Sequence, residues 1–369
     1  MTDIAEQKCP NCGGPMRFEP ETGKLVCDHC LGEVEITQKA EKAEGKTTEG
    51  SEHPTVSVEG FDFDALGDQA LCEDAQDLPV YHCVSCGAEV IAPAEQMALT
   101  CPYCANNIVL TDKVSGKLRP DGVIPFRITS KELPAAVNRF YKKKKLLPKG
   151  FFGESQMGKV TGVYVPFWLF GGDLSGRLKF SGCKSSSSRS GDYIITTTKH
   201  YSLTRDAQMS FENVPVDASG KVDDKLMDSL EPFRVEDMQE FDMRYLAGFT
   251  ADRFDQPKSR IAGRAQKRMR TSAENVVQSN VGGGYHNVRQ SGGSLQAKLS
   301  AKYVLFPVYM FDLTHGNKRY HFAVNGQSGK VVGNLPIDKK TSALYFWRRV
   351  AIVSGLMIAY SVVNYFMGG

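Results

Sequence analysis

The sequence predicts an α+β chain made of two small zinc ribbons, an antiparallel-sheet-rich body and one C-terminal transmembrane helix. Three observations carry this. Eight of the ten cysteines fall into two four-cysteine units of identical spacing. Proline-centred β-type segments recur between residues 120 and 338. An uncharged stretch, Val350 to Met367, lies near the end of the chain.

Cys9-x2-Cys12 is followed after fourteen residues by Cys27-x2-Cys30, and the same unit returns as Cys83, Cys86, Cys101 and Cys104. Two CxxC knuckles aim four thiolates at one point, which suits a closed tetrahedral Zn²⁺ site. Gly13 and Gly87 follow the second cysteine of the leading knuckles, where a residue without Cβ permits the tight turn. Between the knuckles, Met16-Arg17-Phe18 and Leu25-Val26 flank a turn at Glu21–Lys24, which reads as a short hairpin. Such a unit is too small to fold on apolar burial alone and draws its stability from metal. Two structural Zn²⁺ per chain are expected. Disulfides are the weaker alternative for a chain read as lacking a signal peptide, and rubredoxin-like iron is the rival metal. Four cysteines close the coordination shell, so a catalytic zinc is disfavoured. His29 and His82 are read as bystanders, and Cys72 and Cys183 as ordinary thiols.

These units set the expected organisation: ribbon 1 over 1–35, an acidic flexible linker over 36–78 and ribbon 2 over 79–112. An α+β body follows over 120–338 and an anchor over 345–369. The linker holds a short acidic docking candidate, Gly60–Asp64. In the body, Val123–Phe126, Tyr164–Phe170 and Leu305–Phe311 each place proline inside an apolar strand, which confines them to edges or bulges. Asp192–Leu203 reads as a strand, Tyr320–Gly333 as a hairpin, and 131–145 and 258–278 as helices. Ser185–Ser188 and Gly282–Gly284 read as loops.

The net charge of +3 conceals a division. Residues 1–119 hold 21 acidic and 9 basic side chains, a net of −12, which leaves +15 for the remainder. An acidic ribbon region is a poor phosphate ligand, because nonspecific nucleic-acid binding rests on cationic charge. A protein partner suits it better. Lys142–Lys145 and the Arg260, Arg264, Lys267, Arg268, Arg270 series form basic faces, either solvated or facing anionic membrane lipid. The 18 uncharged residues from Val350 to Met367 are near the short end of a membrane span. Tyr345–Trp347 and Arg348–Arg349 precede them as interfacial anchors, and the positive-inside bias places the bulk in the cytoplasm. No HExxH, nucleophile elbow or Walker motif is present, so no enzyme activity is expected.

The segments Phe211–Ser219, Glu231-Pro232-Phe233, Tyr245–Phe249 and Phe322–Lys330, after paired zinc ribbons, carry a resemblance. Together they resemble the bacterial double-zinc-ribbon membrane proteins found beside flotillin-like (SPFH) and phage-shock-protein-A-like partners, from Cys9 to about Pro336. Members are often labelled primosomal helicase-like, a label that shared zinc knuckles alone would explain. The resemblance implies a non-enzymatic role, recruiting or anchoring cytoplasmic proteins at the cytoplasmic membrane, with envelope stress as a candidate setting; a homo-oligomer is left open. The alternative is a nucleic-acid-binding or replication-associated protein that uses the basic body.

Overall fold

The computed structural model describes residues 4–5, 8–36, 56–57, 80–83, 89–92, 96–101, 107–110, 119–142, 144, 146–148, 151, 160–281, 283–315 and 318–367. Most of the expected linker, with Gly60–Asp64 and Cys72, lies outside these residues, as do Gly87 and Gly282.

The strands in chain order begin with β1 (Ile4–Ala5), β2 (Met16–Glu19), β3 (Lys24–Cys27), β4 (Glu33–Val34) and β5 (Val56–Ser57). Next come β6 (Val80–His82), β7 (Glu89–Ile91), β8 (Gln96–Thr100), β9 (Asn107–Leu110) and β10 (Gly122–Val123). The body continues with α1 (Leu133–Lys142), β11 (Thr161–Ser190), β12 (Tyr193–Asp217), α2 (Asp224–Leu230), β13 (Gln239–Glu240) and β14 (Thr250–Asp252). It is completed by α3 (Lys258–Val281), β15 (His286–His315), β16 (Lys318–Asn325), β17 (Val331–Gly333) and α4 (Lys339–Met367). The fold is α+β with antiparallel pairing predominant.

β11 and β15 are each 30 residues long and pair antiparallel from Thr161↔Met310 to Cys183↔His286. At roughly 3.3 Å per residue such a strand extends about 100 Å. One end of the pair is buried on both faces, through Tyr164–Phe170 and Tyr303–Val308. Towards the other end the burial alternates. Leu174, Leu178 and Phe180 of β11 and Leu295, Ala297 and Leu299 of β15 turn inward. The helix α3 buries Ile261, Ala265, Met269, Ala273 and Val277 in the same core cluster. A four-residue step draws a narrow apolar stripe along one helix face, which suits a helix laid on a sheet. Past it, β11 and β12 continue as a two-stranded arm to the turn at Gly191–Asp192, with Tyr193, Ile194 and Ile195 exposed.

Pro166 and Pro307 lie well inside long strands rather than at sheet edges. Along its outer edge β11 pairs with β14 at Val163 and Tyr164, then with β12 from Phe167 onward. Along its own outer edge β15 pairs with β10 at Val304 and Leu305, then with β16 from Val308. Each proline occupies the gap where one neighbour stops and the next begins. The carbonyls of Pro166 and Pro307 point into those gaps and accept from Ala218 N and Gly326 N, both at 2.9 Å. A strand residue aims its N–H and C=O the same way, so the missing proline N–H falls where no ladder partner stands. Ser185–Ser188, expected as a loop, is strand: it pairs with Ile195–Thr198. Ser and Thr hydroxyls bond across it, Ser185 to Thr198 at 3.0 Å and Ser187 to Thr196 at 2.9 Å.

Two segments singled out in the sequence interlock. Asn325, fully buried, donates from Nδ2 to the carbonyl of Leu230 at 3.1 Å. Its Oδ1 accepts from the backbone N–H groups of Gln327 and Ser328, both at 2.9 Å. Gln327 holds the backbone of Arg234 at both ends, accepting from its N–H at 2.7 Å and donating to its carbonyl at 3.0 Å. The Asn-Gly-Gln turn thereby clamps the Glu231-Pro232-Phe233 loop, whose Phe233 ring packs 4.6 Å from Phe306.

Beside this clamp, α3 meets α2 in a charge cluster. Arg264 contacts Asp217 and Asp224, each at 3.0 Å, and Arg268 contacts Glu231 at 2.6 Å. Asp217 is fully buried, and desolvation pushes its pKa up to about 6 despite the Arg264 cation. Between pH ~4 and about 6 the folded chain holds this proton and the unfolded chain does not, so this group lowers stability as pH rises through that window. Asp217→Asn should flatten the dependence of urea-unfolding stability on pH between those limits. An unchanged slope in the variant would count against the assignment.

Candidate metal centre

The first four-cysteine unit folds as a three-stranded sheet, β2-β3-β4. In its leading knuckle, Cys9 N donates to Gly14 O and Gly13 N to Cys9 O, both at 2.8 Å, with Gly13 at φ +71°. In the second, Cys27 N donates to Gly32 O at 3.0 Å and Leu31 N to Cys27 O at 3.1 Å. These turns bring the ligand atoms of Cys9, Cys12, Cys27 and Cys30 within 4.8 Å of one another. Two sulfur pairs, Cys9–Cys30 and Cys12–Cys27, stand 3.5 Å apart. A disulfide requires about 2.05 Å. A tetrahedron with Zn–S bonds of about 2.3 Å has edges of roughly 3.8 Å. The donor set and its spacing fit a tetrahedral thiophilic metal ion.

Two glycines sit tightly against knuckle side chains: a Cβ on Gly14 would stand 3.1 Å from the His29 ring, and one on Gly32 3.1 Å from Asn11 Nδ2. The Cys27 thiol is held down to about 6, chiefly by the backbone N–H of Cys30, with that of His29 helping against desolvation. Cys12 is pushed up to about 12: the Gly14 backbone bond lowers it but is outweighed by the neighbouring cysteines and burial. Four sulfurs this close cannot all hold negative charge without a cation between them, and a bound metal supplies that charge. His29 contributes its backbone N–H to Cys27 Sγ at 3.4 Å, so it supports a ligand sulfur through its main chain.

This unit does not stand apart from the body. Phe18 N donates to Ala247 O at 2.9 Å, and the Phe18 and Tyr245 rings meet edge-on at 5.3 Å. Gly248, at φ +93°, lets Arg17 pass: a Cβ there would stand 3.2 Å from that of Arg17. Phe249, one residue on, stacks on Phe126 at 4.1 Å. Met16, Phe18, Leu25 and Cys27 belong to the same apolar cluster as Leu246, Ala247 and Phe249. The Tyr245–Phe249 segment is therefore the seat of the ribbon.

Of the second unit, Cys83 and Cys101 are buried together with Tyr81, Val90, Ala92, Leu99, Ile108 and Leu110. Cys86 and Cys104 lie outside the described residues. Its β8–β9 hairpin joins the main sheet, with Ala98 opposite Ala251 of β14 and Leu110 opposite Ile4 of β1. His82 ends β6, opposite Glu89. Cys183 lies in β11, far along the arm from either unit.

The chain is 32% identical to the uncharacterized protein YdjG of Bacillus subtilis (strain 168) over 367 residues, 99% of each chain. It belongs to the YdjG family. No family model and no solved structure matches it. Because the alignment to YdjG runs almost end to end, it takes in the cysteine units, the body and the C-terminal helix together.

Cys27→Ser should remove one metal equivalent and free the 8–36 segment for limited proteolysis, while the β11–β15 body keeps its protection. Knuckle turns of this kind depend on a bound metal, whereas the body is held by its own long strand ladder. Elemental analysis paired with protease mapping measures both. An undiminished metal content would refute the Cys9–Cys30 site.

Proposed function

We propose that this chain is a membrane-tethered zinc-ribbon adaptor, not an enzyme, that recruits cytoplasmic protein partners to the membrane. The observation that carries this reading is α4. It is 29 residues long, and no residue of its described apolar window, Lys339–Val362, is buried against the body. By length and composition it can cross a membrane, and a water-soluble body would not leave such a surface uncovered. Its uncharged part is the anchor, and Arg348, Arg349, Lys339 and Lys340 mark the cytoplasmic side. In this reading the cytoplasmic membrane is crossed once and the ribbons and body stay in the cytoplasm.

Both cysteine units carry structural zinc, Cys83, Cys86, Cys101 and Cys104 holding the second ion. The ribbon half, net −12, offers an acidic surface to a basic or apolar protein face. The partners to test first are flotillin-like and phage-shock-protein-A-like proteins, in the setting of envelope stress. The alternative, a nucleic-acid-binding or replication-associated protein, draws on the basic residues of α3. Arg264 and Arg268 are spent on Asp217, Asp224 and Glu231, and Arg270 donates to the carbonyl of Leu295 at 2.9 Å. Arg264 and Arg268, paired with carboxylates, have less charge to offer phosphates, which favours the adaptor.

Anchoring to the lipid also has a basic component. Asp338 N donates to Leu146 O at 2.9 Å, which ties the start of α4 to the segment that follows α1. Truncation after Lys340 should release the chain from membranes after a high-salt wash. Retention only at low salt would locate a residual lipid contact in the lysines of Lys142–Lys145. Full-length protein purified from membranes should bring a protein partner with it, and Cys-to-Ser ribbon variants should lose that partner. Co-purification of nucleic acid with no protein partner would favour the alternative.

A further inference from the structure

The β11–β12–β15 ladder brings together one cysteine and two histidines that no cysteine spacing reveals. Cys183 of β11 is directly opposite His200 of β12 and directly opposite His286 of β15. Directly opposed residues in antiparallel strands share a face, with Cβ atoms about 4.5–5.5 Å apart. One thiol and two imidazoles therefore form a row across three strands. Cys183 Sγ and His200 Nδ1 are already 3.3 Å apart.

The row depends on a bulge. Ser181 is opposite Arg289, and two residues later Cys183 is opposite His286, three residues back along β15. Without the extra residue Cys183 would face Asn287, which cannot take its place as a soft ligand. Asn287 absorbs the insertion at φ +53°, a left-handed conformation that asparagine tolerates better than most side chains. Bulges of this kind re-aim side chains.

The opposite face stiffens the same register. A Cβ on Gly182 would stand 3.3 Å from that of Tyr285 and 3.5 Å from Leu203 and Val288. Lys184 lies 4.5 Å above the Tyr285 ring, and Tyr285 meets Tyr201 edge-on at 5.4 Å. Cys183 is half-buried and both histidines are exposed, so the row is open to solvent.

We propose that Cys183, His200 and His286 bind one Zn²⁺ ion through a thiolate and two imidazoles. One sulfur and two nitrogens suit zinc and not the hard cations magnesium or calcium. The thiol loses its proton to solvent on binding, and His286 closes the set by turning about its side-chain torsions. Three protein ligands leave the fourth position to water or to a group from another molecule. The site thus differs in kind from the closed four-cysteine centre.

The test is titration of full-length protein in detergent, with its ribbon metal retained, using Zn²⁺ against a chromogenic competing chelator. Wild type should take up one equivalent beyond its resident metal. Cys183→Ser, His200→Gln and His286→Gln should each weaken that uptake by about tenfold or more, while resident metal and far-UV dichroism stay unchanged. Cys183→His, which keeps a ligand at this position, should retain it. No extra equivalent in wild type, or an extra equivalent undiminished in His286→Gln, would overturn the proposal.

Discussion

The pairing of β11 with β15 is the constraint on which the rest of the molecule depends. It runs from Thr161↔Met310 to Cys183↔His286, and most other parts attach to one of its edges or faces. At one end the outer edges recruit β14 and β10 in parallel, then exchange them for β12 and β16. Two prolines mark the exchanges, because a residue without an N–H can only sit where a ladder is interrupted. Farther along, one face takes α3 and the other stays open. A long antiparallel ladder is a stiff beam, and its two ends can serve different purposes.

The buried end is where the chain's separate pieces are drawn together. The first ribbon sits on Tyr245–Phe249 through Phe18 and Arg17, and the second contributes its β8–β9 hairpin to the same sheet. The apolar helix α4 starts six residues after β17, and Asp338 just before it donates to Leu146 O in the segment that follows α1. The first four-cysteine unit and the β8–β9 hairpin thus both meet the body at this end of the ladder.

The charge division takes a different form in three dimensions. Two of the cations of α3, Arg264 and Arg268, pair with Asp217, Asp224, Asp228 and Glu231 around the α2–α3 contact. Arg268 also donates to the carbonyl of Pro215 at 2.6 Å, so it works as a strut between helix and strand.

By itself the sequence determined the elements whose signal is local. The spacing of Cys9, Cys12, Cys27 and Cys30 implied a four-sulfur cluster, and the sulfurs do converge. The amphipathic runs of α1 and α3, the Asn325-Gly326 hairpin and the apolar α4 were legible because helical period, turn residues and hydropathy are read within a few residues. Tertiary structure decided whatever rests on pairing between distant segments. It put prolines in the middle of strands, made Ser185–Ser188 a strand instead of a loop, and gave the ribbon a seat on Tyr245–Phe249. It also placed Cys183, read as an ordinary thiol, between histidines that are 17 and 103 residues later in the chain, His200 and His286. Register across a sheet follows from the sum of many strand contacts and a single bulge, and no spacing along one segment encodes that sum.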